Sequence, residues 1–204
     1  MKSGLSDAQS GMTRKRVAIL ISGRGSNMAA LIEAAKAPDY PAEITLVLSN
    51  APGAAGLARA REAGIATEVI DHKAFGKDRE AFDRQLDAAL VANRTDIVCL
   101  AGFLRVLGPW FVERWNGRLI NIHPSLLPAF KGLHTHERAI ASGASEHGAT
   151  VHFVVPELDS GPIIEQARVP VLPGDTPEQL AVRVLEAEHR IYPLALKRLA
   201  EGSI

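Results

Sequence analysis

Cysteine is nearly absent from this chain. Among 204 residues there is one, Cys99, and it sits inside the apolar run Ile97-Val98-Cys99-Leu100. A lone thiol forms no internal disulfide, which fits a reducing compartment, and its neighbours make it a small buried hydrophobe. An excess of charge is missing too, with Lys plus Arg and Asp plus Glu at 23 each. Without basic surplus or a polybasic stretch, a nucleic-acid groove and a membrane-surface patch are both disfavoured. No apolar stretch approaches the length of a membrane span, and the N-terminus lacks a signal-peptide core. Internal repeats, low-complexity segments and a second-domain boundary are also lacking. The expectation is a cytoplasmic protein with small-molecule partners, acting as a monomer or weak homodimer. Residues 1–15 are small and polar without apolar periodicity, and are expected to be a mobile tail. Residues 16–204 are expected to form a single domain large enough to bury a core.

From Arg16 onward, strand and helix signals alternate. Val17–Ile21 is a continuous apolar run, as expected of a strand covered on both faces. Strands are also expected at Ile44–Leu48, Ala66–Ile70, Ile97–Ala101 and Arg118–Ile122. Helices are expected at Asn27–Ala37, Ala54–Ala63, Asp78–Ala92 and Pro109–Trp115. After His123 the pattern changes: an irregular Pro- and Gly-bearing loop, a helix from about His134 to Ala141, then strand-like Thr150–Val155 and Ile163–Val171. A last helix starts near Asp175-Thr176-Pro177-Glu178, with a capping residue, Pro in the first turn and an acid near the N-terminus. It runs toward Ala200. This predicts an α/β fold: a doubly wound, mostly parallel twisted sheet with helices on both faces and antiparallel strands toward the C-terminal half.

Two places carry chemistry. The first is Ser22-Gly23-Arg24-Gly25-Ser26-Asn27, between the first strand and first helix. Glycines allow a tight turn, and amides of the turn and of the helix N-terminus then face an anion. An ordinary turn with Ser26 as helix cap is the plainer alternative. The third glycine of a dinucleotide fingerprint is replaced by Met28, and the second strand ends in Ser49-Asn50 without a ribose-binding acid. No Gly-Lys-Ser/Thr follows, so the P-loop pattern is absent as well. A phosphomonoester is the favoured ligand.

The second place is Leu119-Ile120-Asn121-Ile122-His123-Pro124. Alternation along a strand aims Asn121 and His123 the same way, and Pro124 keeps His123 extended. An amide donor and an imidazole at the carboxyl end of a sheet suit a reaction that builds charge on oxygen while a proton moves. An imidazolium there benefits from a carboxylate partner, and Asp159 in Leu158-Asp159-Ser160-Gly161 is the best candidate. A plain Asx-type turn explains Asp159 equally well. A metal site is disfavoured: His134, His136, His147 and His152 lack zinc-ligand spacing, and most of them are expected on a solvated polar face.

At these residues the chain resembles a known family. The glycine turn, Leu100-Ala101-Gly102-Phe103-Leu104-Arg105-Val106-Leu107 and Asn121-Ile122-His123-Pro124-Ser125-Leu126-Leu127-Pro128 look like the folate-dependent formyltransferases. Phe130-Lys131-Gly132-Leu133-His134-Thr135-His136, Glu157-Leu158-Asp159-Ser160-Gly161-Pro162 and Glu188-His189-Arg190-Ile191-Tyr192-Pro193 are similar to the phosphoribosylglycinamide formyltransferases among them. The resemblance covers about residues 16–200. It implies formyl transfer from 10-formyltetrahydrofolate, as co-substrate, to the amine of 5′-phosphoribosylglycinamide in purine biosynthesis, without a metal. It implies Asn121, His123 and Asp159 as the catalytic trio. Gly25, Ser26 and Asn27 would hold the phosphate by backbone amides and Glu188 the ribose. Arg79, Leu104, Arg105, Val106, Leu107, Asn121 and the turn Val155-Pro156-Glu157-Leu158-Asp159 would line the folate site. Arg24 departs from the family's turn, with little effect expected because backbone does the binding there.

The nearest alternative is a formyltetrahydrofolate hydrolase, whose similar site acts on water. Its histidine is typically followed by His-Ser-Phe, where this chain has Pro-Ser-Leu, and its extra N-terminal domain is not expected in a short tail. A methionyl-tRNA formyltransferase would be expected to add an RNA-binding domain, and neutral net charge disfavours that. A nucleotide-binding sensor module accounts for the glycine turn but not for Asn121 beside His123.

Overall fold

A computed structural model describes residues 13–204. In chain order the elements are β1 (Lys15–Ile21), α1 (Ser26–Ala35), β2 (Ala42–Ser49), α2 (Gly56–Glu62), β3 (Ala66–Val69), a 3-10 turn (His72–Phe75), α3 (Arg79–Ala92), β4 (Ile97–Leu100), α4 (Pro109–Arg114), β5 (Leu119–His123), α5 (Thr135–Ala141), β6 (Glu146–Phe153), β7 (Ile163–Pro170) and α6 (Pro177–Ala200). The expected tail falls mainly on residues 1–12, outside the described residues. Its last positions are not tail. Lys15 opens β1, and the Arg14 guanidinium donates to the carbonyls of Ala35, Tyr40 and Ala42. Those carbonyls flank the link from α1 to β2, and the planar fork of an arginine satisfies several at once.

The strands form one seven-stranded sheet in the order β3-β2-β1-β4-β5-β6-β7. The first five pair in parallel, whereas β6 pairs antiparallel with both β5 and β7. This is the expected α/β architecture. Alternate residues of β1 divide the interior into two layers. Val17, Ile19 and Ile21 pack with Leu31 of α1, Leu57 of α2 and Leu180, Val184 and Tyr192 of α6. Ala18 and Leu20 pack with Phe82, Leu86 and Leu90 of α3 and Phe111 of α4. Each fully buried Leu or Phe contributes about 1.5–3 kcal/mol, so the sheet is clamped from both sides.

Local sequence sets the ends of the longest helices. Asp78 caps α3 by accepting from the Ala81 amide at 2.9 Å. Thr176 and Gln179 exchange reciprocal bonds in a capping box that starts α6, with Pro177 in the first turn. Because β2 lies on one side of β1 and β4 on the other, the winding direction reverses between β1 and β4. That switch point, at the carboxyl ends of the strands, is where an open α/β sheet leaves a crevice.

Two boundaries differ in ways that matter. β6 starts at Glu146, four positions before the expected Thr150, and it is buried from His147 to His152 on both faces. Strand order puts it between β5 and β7, so it does not show the one-sided alternation of a solvated antiparallel strand. β5 ends at His123 rather than Ile122, placing the histidine at the strand's last position.

Candidate active site

The glycine turn leaves β1 at the switch point. Gly25 has φ 69° and is the residue before α1. A Cβ there would lie 2.9 Å from Met28 Cε and 3.0 Å from Gly56 Cα, so both the left-handed backbone and the close approach of α2 require glycine. The Gly56 amide donates to the Gly23 carbonyl at 3.0 Å, fastening the turn to α2. Ser26 is the first helical residue, not a cap, and no side chain caps the α1 N-terminus. Its leading amides therefore remain open toward the crevice, as an anion site needs.

Glu188 of α6 reaches the same place and accepts from Asn27 Nδ2 at 2.6 Å. Burial pushes its carboxyl above the usual range, and the Asn27 hydrogen bond partly offsets this. Asn27 Oδ1 is buried and, among the described residues, has no hydrogen-bond partner. A buried acceptor of this kind suits a hydroxyl-bearing ligand.

Two strands along, at the end of β5, Asn121, His123 and Asp159 come together. His123 Nε2 lies 3.0 Å from the Phe130 carbonyl, which only a ring N–H can satisfy, so the donor is assigned to Nε2. His123 Nδ1 then faces Asp159 Oδ2 at 3.5 Å, both side chains being buried. Asp159 has φ 49°. Its Oδ2 accepts from the Gly132 amide at 2.8 Å, so the carboxylate is pinned to the loop that follows β5. Gly161 permits this arrangement: a Cβ there would meet the Phe153 carbonyl at 1.8 Å, and only a bare backbone lets the 156–162 turn fold back onto β6.

His152 is a fourth member that sequence reasoning placed on a solvated surface. It is 2% exposed. Its Nδ1 lies 2.8 Å from the Phe153 carbonyl and its Nε2 3.3 Å from Asn121 Nδ2. With Nδ1 as donor, the Nε2 lone pair accepts from the Asn121 amide and fixes which end of that amide is NH₂. Burial lowers the pKa of His152, more than the Phe153 carbonyl and the nearby Asp159 raise it, in keeping with a neutral ring. The signal was available only through pairing: Asn121 and His152 are register partners, and a register shift between Val151 and His152 re-aims the strand there.

The other histidines are corrected as well. His147 is 1% exposed and packs edge-on against Phe130 and His136. Desolvation pulls its pKa down to about 4, with His136 and His123 adding smaller repulsions. Only His134 matches the solvated expectation, with 74% of its side chain exposed. Among the described residues, no group of three or more His, Cys, Asp or Glu is placed to hold a metal ion.

The remaining expected residues border the crevice from β4 and α3. Leu104 and Val106 are 79% and 59% exposed, whereas Leu107 packs into the α3–α4 layer. The segment is pinned at both ends: the Leu104 amide donates to Ser22 Oγ at 2.8 Å, and the Gly108 amide to Asp83 Oδ2 at 2.7 Å. Burial raises the Asp83 pKa, opposed by the Gly108 amide and then by Arg105 and Arg79, whose guanidinium groups share this region. Val154 packs on the same layer as Phe103 and Leu107, which brings Val155, Pro156, Glu157 and Leu158 toward the β4 loop. Leu158 is exposed, and Glu157 pairs with Lys131 at 3.5 Å.

Comparison with known proteins identifies the family. The formyl transferase family model matches residues 15–196. The chain is 49% identical over 188 residues to a phosphoribosylglycinamide formyltransferase of Escherichia coli (strain K12), covering 92% of this chain and 88% of that one. It is 51% identical over 191 residues to the trifunctional purine biosynthetic protein adenosine-3 of Bos taurus, covering 94% of this chain but spanning only 19% of that protein. The crystal structure of a phosphoribosylglycinamide formyltransferase from Brucella melitensis superposes with a TM-score of 0.88 at 55% identity, covering 92% of this chain and 96% of that one. With a match across nearly all the described residues, the chain belongs to the formyl transferase family.

Proposed function

We propose that this protein transfers a formyl group from 10-formyltetrahydrofolate to the amine of 5′-phosphoribosylglycinamide, a step of purine biosynthesis in the cytoplasm. The observation that carries the reading is the convergence of Asn121, His123 and Asp159 on one edge of the sheet with the open amides of the Gly25 turn. Strands are about 4.8 Å apart, so the ends of β1 and β5, with β4 between them, are separated by roughly 10 Å. That is the span of a ribose carrying a phosphate at one end and a short amide arm at the other.

The amides of Ser26 and Asn27, opened by Gly25, take the phosphate, and Glu188 with Asn27 takes ribose hydroxyls. Arg79, Arg105, the exposed Leu104 and Val106, and the Val155–Asp159 turn border the space for the folate. The apolar side chains suit its rings and the guanidinium groups its carboxylates.

The neutral amine then attacks the formyl carbon, forming a C–N bond while the carbonyl oxygen takes up negative charge. Asn121 donates an amide N–H to that oxygen. His123 has Nε2–H committed to Phe130, so its exchangeable proton is at Nδ1. At 3.5 Å the contact with Asp159 is an ion-pair distance rather than a tight hydrogen bond, and we assign to Nδ1 the proton that meets the oxyanion. Asp159 supports the positive ring. Collapse of the intermediate breaks the bond to the folate nitrogen, which receives the proton that the amine gives up.

The test is to mix protein and 10-formyltetrahydrofolate with and without 5′-phosphoribosylglycinamide. Tetrahydrofolate release that depends on the amine supports transfer. Equal release without it would overturn the reading in favour of hydrolysis.

A further inference from the structure

We propose that Ser22 is a positioning residue that ties the phosphate turn to the folate-side loop, so that filling one subsite orders the other. The inference rests on the function proposed above. Ser22 is the first residue after β1, and its hydroxyl is used in both directions. It donates to Asn50 Oδ1 at 2.6 Å and accepts from the Leu104 amide at 2.8 Å. Its own amide donates to the Gly102 carbonyl at 3.1 Å. Three loops from three adjacent strands, β2, β1 and β4, therefore meet on one residue.

The far side of the link is rigid. Asn50 is 4% exposed at the end of β2, and His72 Nδ1 lies 2.8 Å from its carbonyl oxygen. The near side is not. Leu104 projects into solvent at 79% exposure, and between the pins at Leu104 and Gly108 only Leu107 is buried, with Arg105 laid over the Phe82 ring at 4.8 Å. A segment with exposed apolar side chains and two end pins depends on those pins for its shape. The hydroxyl direction is dictated: since Leu104 supplies an N–H, the serine proton must go to Asn50, which makes the relay a single ordered chain.

The phosphate turn itself does not need the hydroxyl. Gly23 is held by the Gly56 amide and Gly25 by its own backbone geometry. Removing the Ser22 oxygen should thus loosen the folate side and leave the sugar-phosphate side built. Coupling between two subsites through such a shared element typically amounts to about fivefold or more in affinity.

The experiment compares wild type, Ser22→Ala, Asn50→Ala and Ser22→Thr, with melting temperature as the check on folding. In Ser22→Ala, KM for 10-formyltetrahydrofolate is expected to rise about five- to tenfold, the effect of one lost hydrogen bond. The Kd of the sugar phosphate measured alone should stay within about twofold, its KM at saturating formyl donor should rise by the factor of the lost coupling, and kcat at saturation should stay within about threefold. Asn50→Ala should move KM for the formyl donor by less, and Ser22→Thr, which keeps the hydroxyl, should restore it. Tetrahydrofolate titrations with and without 5′-phosphoribosylglycinamide should give about fivefold coupling in wild type and none in Ser22→Ala. Unchanged KM for the formyl donor in Ser22→Ala, a weakened Kd for the sugar phosphate measured alone, or wild-type coupling that survives the substitution would overturn the proposal. If the variants do not fold, hydrogen exchange of the wild-type Leu104 amide decides it: slowing when the sugar phosphate alone is added supports the link, and no change overturns it. Absence of formyl transfer by wild type counts against the proposed function, whereas the titrations and the exchange measurement still judge the link.

Discussion

The two ends of the crevice are built from different materials. At the β1 end, the Gly25 turn offers backbone amides, and what it requires of its residues is the absence of a Cβ. At the β5 end, Asn121, His123, His152 and Asp159 offer side chains; three of them are oriented by backbone groups, the carbonyls of Phe130 and Phe153 and the amide of Gly132, and Asn121 by His152. The difference teaches which changes each end tolerates. A backbone site is indifferent to the outward side chains and intolerant of added bulk. A side-chain site fails when one functional group is exchanged for a near-isostere.

The sharpest way to break this contrast is Asp159→Asn. Shape is kept and the charge facing His123 Nδ1 is lost, so kcat should fall by about 10²–10⁴ with both KM values within a few-fold. Steady-state kinetics checks this, and near-wild-type turnover would remove Asp159 from its role. The backbone counterpart is Gly25→Val. A β-branched residue is strained at φ 69° and would also press on Met28 and Gly56. The expected outcome is KM for the sugar phosphate raised at least about tenfold and stability lowered by about 1–3 kcal/mol, read by kinetics and denaturant melts.

A third measurement concerns acid. His147 sits beneath the β5 end with its pKa pulled from 6.5 to about 4. The unfolded chain therefore binds a proton there before the folded one does. The favourable contribution is complete above pH 6.5 and is lost as pH falls toward 4. At about 1.4 kcal/mol per pH unit, it reaches roughly 3 kcal/mol. Replacing His147 by Gln should flatten the fall of melting temperature across that window, and an unchanged slope would assign acid sensitivity elsewhere. The smallest effect belongs to Arg24→Ala, an exposed side chain in the glycine turn. Both KM values should stay within about twofold, and a larger change would mean that the turn does not bind by backbone alone.

Much of this organisation was legible along the chain. Val17–Ile21 read as a two-sided strand because its run is unbroken, and the capping pattern at Thr176-Pro177 placed the last helix correctly. The Asn121–His123 pair was visible because strand alternation is a local rule. His152 and His147 were misread for the same reason that the edges of β6 were. Their burial depends on β6 lying between β5 and β7, and a single strand's sequence does not say who its neighbours are. Asp159 was ambiguous from its local turn, since 36 residues separate it from His123 and the contact comes from the 156–162 segment folding back.

What the sequence alone determined is the set of chemically competent residues and the strand–helix rhythm. Both follow from short-range physics: alternation, capping, and the freedom of glycine and constraint of proline. Tertiary structure decided which of those residues meet and in which tautomer. It placed the Phe130 carbonyl on His123 Nε2, Asn121 opposite His152, and Ser22 between Asn50 and Leu104. The last two join elements far apart in the chain, the first depends on how the loop after β5 folds back, and none of these geometries exists until the sheet order is fixed.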